Sequence, residues 1–163
     1  MARILLVDDD AAIRDSLELI LQYERHEIDQ AASGEEALER MARSAPELML
    51  LDVVMPGMSG LDVLEHVQTR HPEVIVIVVS GHGDIPTAVA ATRMGAFDFI
   101  DKPLERDRLL VAVRNALRHS RMRREITEQY RIMGDSPALR SMLEDVDRVA
   151  IADAGVLITG ENG

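Results

Sequence analysis

The chain has 163 residues, a formal net charge of −11, no cysteine and no tryptophan. That length suits one domain plus an appendage, and the composition excludes disulfides, thiolate zinc sites and the aromatic stacking platforms that grip single-stranded nucleic acid. Its longest apolar run, Val74–Val79, is far short of the roughly 20 residues a membrane helix needs, and an acidic domain does not attract nucleic acid by bulk charge.

The N-terminus, "MARILLVDDD", lacks the apolar core and cleavage site of a secretory signal, so a cytoplasmic setting without membrane attachment is expected. Arg3–Val7 reads as a strand. Ala11–Gln22 follows as an amphipathic helix with Ile13, Leu17, Ile20 and Leu21 on one face, and Asp10 is assigned as its cap. "HEIDQA" is a weaker strand. "SGEEALERMARS" opens with a Ser33 cap and turns Ala37, Leu38 and Met41 inward. "ELMLLDVV" is a strand ended by the Pro/Gly-rich loop "MPGMSG", and "GLDVLEHVQTRH" is a helix stopped by Pro72. "VIVIVVS" has no polar alternation, which predicts a strand buried on both faces of a parallel sheet. "DIPTAVAATRMG" is a helix ended by Gly95, and "FDFI" a short strand before "DKP".

From Arg106 a helix can run to about Tyr130 without Pro or Gly. Its surroundings are basic: Glu105–Ile132 holds eight Arg against four acids, about +4, leaving about −15 elsewhere. A solvated helix face accounts for this more simply than phosphate contact. A break at Gly134 precedes a helix capped by Asp135 or Ser136, with Pro137 in its first turn, and "VLIT" starts another strand. Five strand–helix repeats in about 120 residues predict an α/β doubly wound parallel sheet.

In such sheets the ligand crevice lies beyond the carboxyl ends of the strands. The first strand delivers Asp8 and Asp9 there, the third Asp52, the fourth Ser80, and the fifth is followed by Lys102, the single lysine in the chain. Each has a plain reading by itself: a cap, a polar strand end, a turn serine, a solvated lysine. Together they carry more. Three clustered carboxylates repel unless a cation sits among them, and Mg²⁺ takes such oxygen ligands beside a phosphate. Lys102 supplies a point charge and Ser80 a hydroxyl for phosphoryl oxygens. No Ser–His or Cys–His pair is evident, so one carboxylate is the natural phosphoryl acceptor.

The run "ILLVDDD…LLDVVMPGMSG…VVSGHGD…FDFIDKP" resembles the receiver domain of bacterial two-component response regulators, over residues 3 to about 120. The resemblance implies a flavodoxin-like fold with strand order 2-1-3-4-5. It makes Asp52 the residue phosphorylated by a sensor histidine kinase, Asp8 and Asp9 the magnesium pair, and the Val54 backbone carbonyl a further metal ligand. Ser80 and Phe99 match the switch pair, and Lys102 the family's lysine, whose bond to Pro103 is typically cis. Val54 and His82 fall where the family tunes loss of the phosphoryl group to water; an apolar Val54 cannot orient a water, so slow self-dephosphorylation is expected.

Residues 131–163 are similar to the start of the AAA+ ATPase domain of sigma-54-dependent activators of the NtrC type. Gly160, Glu161, Asn162 and Gly163 match the first four positions of its phosphate loop, but the loop's lysine is not among them. This incomplete loop is not expected to bind ATP, and the last ten or so residues are expected to be weakly anchored. The implied organisation is a receiver over 1–120, a linker helix over 121–133 and the start of the ATPase domain over 134–163. The fifth receiver helix and the linker helix that continues it are expected to pair two chains: Leu110, Val113, Leu117 and Ser120 fit a heptad, Arg124 interrupts it, and Ile126, Tyr130 and Met133 resume in a different register. Sigma-54 RNA polymerase and DNA are expected partners only of a longer, intact protein. Three other readings differ. An aspartate-nucleophile phosphatase wants Asp-x-Asp after its first strand, against "LDVVMPG" here; an ATPase lacks the rest of its site; a degenerate receiver acting as an interaction module requires loss of groups that are all present.

Overall fold

A computed structural model describes residues 1–81, 85–129 and 141–142 of the chain. Two units are distinguished, Met1–Ile126 and Thr127–Gly163; the first contains the five described strands. The helix and strand expected over 134–163, the phosphate-loop residues Gly160–Gly163, and His82 and Asp84 lie outside the described residues, apart from Ser141 and Met142, which are helical.

The elements alternate as β1 (Arg3–Val7), α1 (Ala11–Tyr23), β2 (Glu27–Ala31), α2 (Gly34–Arg43), β3 (Leu48–Asp52), α3 (Gly60–Arg70), β4 (Ile75–Ser80), α4 (Ile85–Arg93), β5 (Asp98–Asp101) and α5 (Arg106–Gln129). All strand pairs are parallel, in the order β2-β1-β3-β4-β5. The doubly wound fold and its strand order are therefore as expected.

The period of two along each strand sorts side chains onto two faces. Ile4, Leu6, Leu48, Leu50, Ile75, Ile77 and Ile100 pack with Leu17 and Leu21 of α1 and with Leu109, Val113 and Leu117 of α5. Leu5, Val7, Met49, Leu51, Val76 and Val78 pack instead with Ala37 and Met41 of α2, Val63, Leu64 and Val67 of α3, and Ala91 of α4. Every residue of β3 and β4 is buried, which is why those stretches carry apolar residues on both faces. Each fully buried Leu, Ile or Val contributes about 1.5–3 kcal/mol of transfer free energy.

Local chemistry sets the helix ends. Asp10 caps α1, accepting from Ala12 N at 2.8 Å and Ile13 N at 3.4 Å. Ser33 caps α2, and Ser59 and Asp62 form a reciprocal capping box at α3. Gly95 closes α4 at φ +96°, a backbone region that favours glycine.

Two boundaries differ from the sequence expectation. β3 stops at Asp52 rather than Val54, because Gly60 N bonds back to Val53 O at 3.0 Å and turns the chain. β5 is Asp98–Asp101 rather than Phe97–Ile100, since its register pairs Asp98 with Ile77 and Asp101 with Ser80. α5 runs without interruption from Arg106 to Gln129, as expected of a stretch that holds neither Pro nor Gly.

The heptad reading of α5 needs correction. Val113, Leu117 and Ser120 are buried, and Leu110 packs partly against the same core. These positions are apolar or small because they face the sheet, so they form no free seam for a second chain.

Candidate functional site

The carboxyl ends of β1, β3, β4 and β5 meet at one rim. Asp8 directly follows β1 and is 3 % exposed; Asp52 ends β3 and is 5 % exposed. Asp9 stands exposed beside them. The three side chains each place a carboxylate oxygen within 4.8 Å of the others.

Two buried carboxylates at that separation need a counter-charge. Lys102 provides it, donating from Nζ to Asp8 Oδ2 at 2.7 Å and to Asp52 Oδ2 at 2.6 Å. Burial by itself would lower the Lys102 pKa, but the hydrogen bonds and charges of Asp52 and Asp8 outweigh it and hold the ammonium above the ordinary lysine range. The remaining oxygens are steered by backbone N–H groups: Asp10 N donates to Asp8 Oδ1 at 2.9 Å, and Val54 N to Asp52 Oδ1 at 3.2 Å. Both aspartates are thus held in fixed rotamers by donors on both oxygens.

Ser80 ends β4, is 1 % exposed, and its carbonyl accepts from Lys102 N at 2.8 Å. The same bond aligns Lys102 with the rim, and the Lys102–Pro103 peptide is cis. An added Cβ on Gly81 would lie 3.7 Å from Lys102 Cδ, so the lysine stem runs past that glycine. Phe99 pairs with Val78 and packs, partly buried, against the core on the α2–α3–α4 face. Val54 is 58 % exposed at the mouth of the site. Asp10, by contrast, is committed to capping.

The structure therefore brings Asp8, Asp9, Asp52 and Lys102 together, with Ser80 one strand away. The donor set is all oxygen, as a hard divalent cation requires, and the three carboxylates are close enough to share one ion. The residues present fit magnesium.

Three supporting residues were not evident in the sequence. Arg14 donates from Nη1 to the Asp8 carbonyl at 2.6 Å and from Nε to Gln30 Oε1 at 3.0 Å, fixing the backbone that carries the acidic pair. In the sequence it reads as an ordinary solvated arginine of an amphipathic helix. Gly60 opens α3 so closely against β3 that an added Cβ would meet Asp52 O at 2.0 Å. Glu35 of α2 accepts from Met58 N at 3.1 Å, clipping the β3–α3 loop from outside. The Gly after Ser59 was a visible signal; the partners of Arg14 and Glu35 depend on tertiary placement.

Residues 4–114 match the response regulator receiver domain family. Nitrogen assimilation regulatory protein NtrX of Azorhizobium caulinodans is 38 % identical over 168 residues, covering 98 % of this chain and 37 % of that protein. DNA-binding transcriptional regulator NtrC of Escherichia coli is 34 % identical over 164 residues, covering 97 % and 35 %. The crystal structure of the receiver domain of NtrX from Brucella abortus superposes with a TM-score of 0.68 at 44 % identity, covering 71 % of this chain and 98 % of that domain. The chain spans little more than a third of the length of the two curated relatives.

Proposed function

Because the chain belongs to the response regulator receiver domain family, a family of signalling modules rather than enzymes in themselves, we propose that it accepts a phosphoryl group on Asp52 from the phosphohistidine of a sensor kinase. The observation that carries this reading is the pair of hydrogen bonds that Lys102 Nζ donates to Asp8 and Asp52, which poises one cation over two carboxylates at the end of a parallel sheet.

In the proposed step an Asp52 carboxylate oxygen attacks phosphorus. A P–O bond forms, the P–N bond breaks, and the electron pair returns to the imidazole nitrogen. The Lys102 ammonium passes from Asp52 Oδ2 to an oxygen of the transferred group, so its charge is never unpaired. The Ser80 hydroxyl donates to another phosphoryl oxygen, and the Phe99 ring turns inward behind it. Asp8, Asp9, Asp52 and the Val54 carbonyl would hold Mg²⁺, which supplies charge neutralisation at the phosphoryl oxygens. Nothing here needs a proton shuttle; positioning and electrostatics supply the catalysis.

The output proposed is carried by α5 through the linker helix, residues 121–133, into the ATPase domain whose start is read over 134–163. Self-association through that helix is part of the proposal, as is a cytoplasmic setting; no described helix is long and apolar enough to cross a membrane. Control of sigma-54 RNA polymerase at DNA is proposed only for an intact protein longer than this chain.

The test is a phosphate-affinity gel of the full chain incubated with Mg²⁺ and acetyl phosphate. One shifted species is expected, lost in Asp52→Asn and lost on chelating the metal. A shift that survives Asp52→Asn overturns the assignment.

A further inference from the structure

Away from the rim, α5 and the turn between α1 and β2 enclose a groove of about 500 Å³. That is within the range of small-molecule sites, roughly 300–1,000 Å³. Its floor is apolar, from Leu110, Val113 and Leu117; its wall carries Arg114, Arg118 and Arg121, with His26 and Glu24 opposite.

The three arginines are the unusual part. They sit at i, i+4 and i+7, on one side of the helix, where like charges destabilise a helix by about 0.2–0.5 kcal/mol per pair. None of them makes an ion pair or hydrogen bond among the described residues. Their neighbours on the same helix behave differently: Arg124 pairs with Glu47 at 3.3 Å, and Arg123 donates to the Pro72 carbonyl at 3.3 Å. A merely solvated face would intersperse acids with these cations; Glu24 is the single acid lining this groove.

The opposite wall carries one acid, Glu24, beside His26. The buried Nδ1 of His26 has no hydrogen-bond partner. Its imidazole is held below the ordinary histidine range, first by burial, then by the charge of the amino terminus; Arg121 lowers it further, while Glu24 and Glu47 oppose.

We infer that this groove is an anion-binding site, taking a small phosphorylated molecule with more than one anionic group. Guanidinium forks match phosphate oxygens two at a time. Residues 114 to 121 span about 10 Å of helix, which is long enough to address successive phosphates. The apolar floor gives the organic part of such a ligand a surface to cover. The site lies on α5, so its occupancy bears on the helix that leaves the domain.

Inorganic tripolyphosphate serves as the probe, titrated into the full-length Asp52→Asn chain in metal-free buffer at near-physiological salt, so that the rim takes no part. Binding is read by calorimetry and by the His26 ring proton resonances. The expected result is saturable binding that shifts the His26 signals, weakens about tenfold in Arg118→Gln, and weakens less in Arg118→Lys, which keeps the charge but loses the fork. Circular dichroism confirms that each variant is folded. Absence of binding at millimolar probe, or binding by Arg114→Gln, Arg118→Gln and Arg121→Gln as tight as that of the parent Asp52→Asn chain, overturns the inference.

Discussion

Lys102 bonds two carboxylates that would otherwise repel each other. Lys102→Met leaves Asp8 and Asp52 facing each other without a cation, which costs about 3 kcal/mol, the low end for breaking a buried pair because the lysine still reaches solvent. Mg²⁺ restores the missing charge, so the metal should raise the Tm of Lys102→Met more than that of the parent; an equal or smaller rise contradicts the shared site. The pH dependence has a definite sign. The folded-state value of Lys102 is raised, so its stabilisation is complete below the ordinary lysine range and is lost as pH rises beyond it, above about pH 10. Alkaline titration of the parent should show that loss, and Lys102→Met should lack it. Val54 carries a second residue-scale expectation. Its exposed apolar side chain at the mouth of the site cannot order a water, so Val54→Asn should shorten the lifetime of phospho-Asp52 several-fold, about what one well-placed hydrogen bond of 1 kcal/mol provides. An unchanged decay rate refutes that role. The acidic residues, Lys102 and Ser80 were legible because strand ends in a parallel sheet share one rim; the Arg14 bond to the Asp8 carbonyl was not, because nothing in the spacing of Arg14 and Asp8 marks a side chain that folds back on the strand end.

Among the elements, the β3–α3 connection carries the strictest packing. Asp52 is placed where it is because Gly60 lets α3 start against the end of β3, with Gly60 N donating to Val53 O at 3.0 Å. A methyl at residue 60 would lie 2.0 Å from Asp52 O and 2.8 Å from Val53 Cα, both backbone atoms that cannot swing aside. Gly60→Ala should therefore lose about 3 kcal/mol, the upper end for overpacking, and should slow phosphorylation of Asp52 as well. Gly81→Ala is the internal control: among the described residues its Cβ would meet only Lys102 Cδ, at an ordinary 3.7 Å. Urea denaturation of the two variants should separate them clearly, and equal stabilities would contradict the packing account. The elements themselves could be read from period and caps, since β3 and β4 are buried on both faces and Ser33, Ser59 and Asp10 announce helix starts. Their ends were harder: β3 stops where a distant glycine turns it, and β5 shifts by one residue to keep register with β4.

At the level of the whole molecule, the two-sided sheet explains why α5 misled. Its apolar positions satisfy a heptad and a core-facing stripe equally well, and the sheet takes them: Val113 and Leu117 are buried in the first unit. Any pairing of two chains through this helix must use its outward positions, among which Met122 is 52 % exposed. Met122→Glu should weaken self-association in sedimentation velocity without lowering the Tm, and an undiminished dimer would place the seam elsewhere. In the proposed function the rim and the sheet serve one end, the acceptance of a phosphoryl group at Asp52. The most direct measurement traps that bond. The chain is phosphorylated by acetyl phosphate with Mg²⁺, reduced with borohydride, which converts an aspartyl phosphate to homoserine, and mapped by mass spectrometry. Homoserine at residue 52 alone is the predicted result; homoserine at Asp8 or Asp9, or none anywhere, contradicts it.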